Sequence, residues 1–102
     1  MTRAELASQA EHWASAPSGG ACDLCGDSTG AACVRVPNDQ FKKLVDLGYN
    51  PVDSGRADRA MAVSGKGPTE WYMDWKLMVS VDSTDWGLCG SCADDVKRFL
   101  AP

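Results

Sequence analysis

A single histidine, His12, is all the imidazole this 102-residue chain possesses. No stretch is apolar over the roughly 18 residues that a membrane-spanning helix requires, which excludes a helical span. Basic residues never run longer than two, at Lys42-Lys43 and Lys97-Arg98, so there is no basic arm for a phosphate backbone. Internal repeats and low-complexity tracts are missing too. Gly65-Lys66-Gly67 lacks the spacing of a phosphate-binding loop, and no helix is expected to follow it. The opening Met-Thr-Arg-Ala-Glu is not followed by an apolar core and a small-residue cleavage site, so a secretory signal is not expected and a cytoplasmic protein is.

What is present fits one domain of ordinary composition. Hydrophobic residues make up 44% and charged residues 24%, enough apolar content to argue against a disordered chain. The net charge of −4 repels nucleic acid at long range and favours a protein partner. Thr2 and Glu5 have capping-box spacing, and Leu6, Ala10, Trp13 and Ala14 follow on one helical face. That helix is expected to stop before Pro17, with Ser18-Gly19-Gly20 as a joint. Two segments follow from this: residues 1–20, a helix and its joint, and residues 21–102, the main domain. The helix is expected to dock on the core.

Ala32–Val36 reads as a short strand, and Asn38 is placed to cap a second helix carrying Phe41, Leu44 and Val45, with Gly48 as its stop. Residues 49–58 read as loop. Between Trp71 and Val81, the residues Trp71, Met73, Trp75, Leu77, Val79 and Val81 alternate with mostly polar neighbours, which predicts a strand. Ala60–Val63 would pair with it through the Gly65–Pro68 turn. Tyr72 and Met78 would then lie on the outer face as a contact patch. A terminal helix begins at the second cysteine pair. Asp94 and Asp95 are read into its first turn, and Cys92, Val96, Phe99 and Leu100 share a face. The expected fold is α+β: a small antiparallel β-hairpin or sheet with three helices.

The most specific signal is a pair of Cys-x-x-Cys motifs, Cys22/Cys25 and Cys89/Cys92. Two intervening residues let both sulfurs face one point roughly 2.3 Å away, with backbone amides turned towards the thiolates. Gly26 supplies the positive-φ residue that such a knuckle wants. Cys92 falls in the first turn of a helix, whose positive end favours a negatively charged cluster. These four cysteines are the candidate ligands of one structural Zn²⁺. Other uses stay open. A disulfide framework would leave one of the five cysteines over. A thioredoxin-like redox site at Cys89-Gly90-Ser91-Cys92 would have only the ten residues after Cys92 for the rest of its fold. Iron accepts the same four thiolates. Cys33 or His12 could replace a ligand, although a buried strand cysteine and a surface histidine are the simpler readings.

With one ligand pair in a knuckle and the other at a helix start, the pattern resembles the treble-clef type of zinc finger. The resemblance implies Cys22 and Cys25 as knuckle ligands and Cys89 and Cys92 as helix-start ligands, with a hairpin between them. It covers the cysteine pairs, the Trp71–Val81 hairpin and the terminal helix. The 63 residues between the pairs exceed what a minimal treble clef needs, so the second helix and its loop count as insertions.

Four cysteines close a tetrahedral shell, whereas catalytic zinc keeps a position open for water. A serine–histidine–carboxylate arrangement would depend on His12, outside the zinc core. The expected function is therefore non-enzymatic: a zinc-stabilised protein–protein interaction, adaptor or regulatory module. A nucleic-acid-binding zinc finger is the alternative, and a redox or iron-binding four-cysteine protein the lesser one.

Overall fold

The computed structural model describes residues 1–102, built from five helices and a three-stranded antiparallel sheet. In chain order these are α1 (Arg3–Ala10), β1 (Ser15–Pro17), β2 (Ala32–Val36), α2 (Asn38–Asp46), α3 (Asp58–Ser64), α4 (Pro68–Val81), β3 (Trp86–Leu88) and α5 (Gly90–Leu100). The sheet order is β1-β2-β3, with Ala16 opposite Cys33 and Arg35 opposite Gly87. The α+β class is as expected, but neither the sheet's composition nor the helix count is.

The Trp71–Val81 hairpin is the main correction: that segment is helix α4, and Ala60–Val63 belongs to helix α3. The physical reason lies in the pattern. Six apolar residues at every second position also form two rows spaced by four. Trp71, Trp75 and Val79 make the row that α4 buries, and Met73, Leu77 and Val81 make the row that it exposes. Positions two apart on a helix are separated by about 200°, so the two rows lie on opposite faces. Local signals favour the helix. Pro68 stands in its first turn, where the absent N–H is not missed, and Glu70 sits near the positive end of the dipole. Gly65, at φ 70°, is the left-handed cap that ends α3 rather than a hairpin residue. The outer contact patch of Tyr72 and Met78 disappears with the strand. Tyr72 is half-buried against Trp75, while Met78 remains exposed.

The other ends differ in detail. The Thr2/Glu5 capping box is formed in both directions. However, α1 stops at Ala10, and Trp13 lies beyond it, donating its indole N–H to Gln40 Oε1 at 2.6 Å. Asn38 is the first residue of α2 rather than its cap. Its backbone N–H is taken by Asp85 Oδ1 at 3.0 Å, and its side chain donates to the carbonyls of Asp82 and Thr84. The start of α2 is thus capped from the segment that leads into β3.

One core connects these pieces. Phe41 of α2 stacks on Trp86 of β3 with ring centroids 4.1 Å apart, and Trp75 of α4 meets both rings edge-on. Cys92, Val96 and Leu100 of α5 are buried, as are Val36 of β2 and Leu88 of β3. Leu6 and Ala10 dock α1 on the same core, and Arg3 caps its contact with α5 by lying 4.4 Å over the Phe99 ring.

Candidate metal centre

The site is assembled from two stretches of chain that β3 brings side by side. Residues 22–27, in the connection between β1 and β2, form a tight knuckle. Gly26 N–H donates to the Cys22 carbonyl at 2.9 Å and Cys22 N–H to the Asp27 carbonyl at 2.7 Å. Gly26 has φ 81°, a conformation in which any other residue would be strained. Backbone amides point at the sulfurs: Leu24 N–H at Cys22 Sγ (3.4 Å) and Asp27 N–H at Cys25 Sγ (3.5 Å). Asp23 fastens the knuckle to β3 twice. Its N–H donates to the Gly87 carbonyl at 2.9 Å, and its carboxylate accepts the Gly87 N–H at 2.7 Å. A Cβ at Gly87 would come within 3.2 Å of Cys33 Sγ, so a larger residue there would require that side chain to give way by a few tenths of an ångström.

Directly after β3 comes the second pair. Cys89 is the N-cap of α5, its sulfur accepting the Cys92 N–H at 3.5 Å in the manner of a capping serine. Cys92 follows in the first turn. Because the helix begins at Gly90, Asp94 and Asp95 lie beyond that turn, which corrects the expected dipole role for them. Asp95 is instead a buried acceptor, bonded by Tyr49 Oη and Ser54 Oγ at 2.7 Å each and reached by Arg98 at 3.6 Å. This network ties the 49–57 connection to α5. Burial, then the hydrogen bond to the Asp95 carboxylate and its charge, push the Tyr49 phenol well above its ordinary pKa.

All four cysteines are buried, and their sulfurs lie within 4.8 Å of one another, with Cys25 and Cys89 at 3.7 Å. No other group of histidine, cysteine or carboxylate side chains converges in this way. A hydrogen bond from the Cys92 thiol holds Cys22 down to about 4. Burial opposes this, and the amides of Cys25, Cys89 and Leu24 add to it. The same bond, then burial, push Cys92 upward, and burial raises Cys25. The Arg56 guanidinium faces Cys92, whose sulfur raises the arginine's own pKa. A thiolate-leaning Cys22, inward amides and a nearby cation suit a metal ion that displaces the protons of the other thiols.

Cys33 is buried in β2 and His12 is exposed, and neither joins the cluster. Sequence reasoning missed Arg56 and gave Asp95 a local dipole role, because both act across the fold on partners that no local pattern reveals. No family model, curated protein or solved structure matches the chain. No helix is long and apolar enough to cross a membrane.

Proposed function

We propose that the chain is a structural-zinc domain of treble-clef type, serving as a protein–protein interaction, adaptor or regulatory module without chemistry at the metal. The carrying observation is the closed shell of four buried sulfurs. A tetrahedral Zn–S distance of roughly 2.3 Å implies sulfurs about 3.8 Å apart, and Cys25 and Cys89 stand at 3.7 Å. A shell of this kind leaves no position for water or substrate. The treble-clef reading is supported by a knuckle pair, a helix-start pair and, between them in sequence, the antiparallel pair of β2 with β3. The binding role is supported by the exposed row of Met73, Leu77 and Val81 with Met78 beside it, on a chain of net charge −4.

Metal analysis of protein purified under reducing conditions should find one zinc per chain, and X-ray absorption should find four sulfurs at about 2.3 Å. Crosslinking in lysate should capture protein partners that a Met73→Glu, Leu77→Glu variant no longer captures while retaining its zinc. Iron in place of zinc, nucleic acid as the captured species, or capture indifferent to the α4 substitutions would each overturn the reading.

A further inference from the structure

Beside the metal centre, Asp23 of the knuckle, the end of α4 and the segment that follows it line an open groove of about 500 Å³. Its walls divide sharply. Met78, Val81 and Trp86 are apolar, while Asp23, Asp82 and Asp85 are carboxylates, and no basic side chain lines it. None of the three carboxylates makes an ion pair. Each is held in place by a backbone amide: Asp23 by Gly87, Asp82 by Thr84 and Asp85 by Asn38. They are therefore positioned acceptors with negative charge left over, around an opening with apolar walls. A second cavity of about 320 Å³ shares Asp23 and Met78 with the first and continues past Trp71 and Trp75 to the Lys66–Asp74 ion pair.

A bare cation is a poor match. The oxygens of Asp23, Asp82 and Asp85 do not converge within reach of one ion as the four sulfurs do. Dispersed negative charge over apolar walls fits a long side chain that is greasy along its stem and cationic at its tip. One further observation marks the same wall. Trp86 stands in it, and its indole Nε1 is the one buried side-chain nitrogen or oxygen without a hydrogen-bond partner.

We propose that this acidic, apolar-walled groove extends the partner surface beyond the exposed α4 row, which it meets at Val81, and that it receives a segment of another protein presenting arginine or lysine next to an apolar residue. This rests on the interaction-module reading and specifies the partner's chemistry. The cationic tip sits among the three carboxylates, its stem runs along Met78 and Val81, and the neighbouring apolar residue occupies the second cavity. Arginine is favoured over lysine, because its planar fork meets carboxylates two bonds at a time.

The test uses full-length zinc-loaded protein and a blocked twelve-residue peptide alternating arginine with leucine. Counterparts carry glutamate for arginine or glycine for leucine. Binding is followed by amide and indole shifts in NMR spectra. The arginine–leucine peptide should shift residues 78–87 and the Trp86 indole N–H, and should bind at least about tenfold more tightly than either counterpart, less so at high salt. Met78→Lys places a cation on an exposed wall position without disturbing a buried contact, and should weaken binding about tenfold. Asp82→Asn with Asp85→Asn keeps an acceptor at each position, removes two charges and should do the same. Equal binding of the glutamate peptide, shifts confined to Met73 and Leu77, or no binding by folded, zinc-loaded protein would overturn the groove assignment. Loss of zinc or fold in the unmodified chain would overturn the underlying reading instead.

Discussion

Trp75 and Leu77 are two residues apart, equally apolar in pattern, and assigned to the same buried face by a strand reading of residues 71–81. In the helix they part company: Trp75 is 5% exposed and Leu77 is 67% exposed. Trp75 also meets Phe41, Trp71, Tyr72 and Trp86. A buried tryptophan removes on the order of 200 Å² from water, worth about 5 kcal/mol at 25 cal/mol per Å². Alanine keeps part of that area, and the denatured chain already buries some of the rest. The expected cost of Trp75→Ala is therefore about 3–5 kcal/mol, a large share of a domain stability of roughly 5–15 kcal/mol. Leu77→Ala should cost no more than about 0.5 kcal/mol. Urea unfolding of the zinc-loaded variants, followed by far-UV circular dichroism because the tryptophan signal itself changes, measures both. Comparable losses for the two substitutions would mean that Leu77 is buried as deeply as Trp75, and the helical placement of this segment would be wrong.

Three further outcomes can be checked. Cys25→Ser should release the metal and Cys33→Ser should retain it, since Cys33 lies outside the cluster; equal release in a zinc titration would place Cys33 among the ligands. Arg56→Ala should weaken zinc about tenfold in competition with a chelator, the scale of an outer-shell contact, because the guanidinium faces Cys92; unchanged affinity would remove it from that role. The third concerns pH. Tyr49 has a raised pKa in the folded chain, so its contribution is complete below the unfolded tyrosine value of about 10 and is lost as pH rises above it. There the unfolded state releases a proton that the folded state keeps. Stability should accordingly fall by about 1.4 kcal/mol per pH unit on this account. Tyr49→Phe should flatten that slope in urea titrations across the alkaline range, and an unaltered slope would show that the phenol does not report the buried Asp95 contact.

The candidate site was the most legible part of the sequence. Two Cys-x-x-Cys pairs, Gly26 and a helix start announce themselves through spacing and backbone conformation, which are local properties. Helices α1, α2 and α5 were legible for the same reason: a capping box at Thr2, the row Phe41, Leu44 and Val45, and the row Cys92, Val96 and Leu100. The failure at α4 has a definite cause. Period-two apolar residues extended over eleven positions contain two period-four rows, and only the surroundings decide which face is covered. Propensity could not arbitrate, since Met73, Lys76, Leu77 and Met78 favour helix while Trp71, Tyr72, Trp75, Val79 and Val81 favour strand. Strands β1 and β3 have three residues each, too few for any periodicity to register. The roles of Asp95 and Arg56 were invisible because their partners, Tyr49, Ser54 and Cys92, are distant in sequence.

The exposed joint between α3 and α4, Gly65 to Gly67, falls between the two cysteine pairs. A cut there divides the chain into halves that each hold two of the four sulfurs and at least one strand of the sheet. Neither half can complete the metal's shell alone, and each supplies what the other lacks. Free metal concentration would then set how tightly the halves rejoin, so that an intramolecular brace becomes the adjustable coupling of a two-piece assembly.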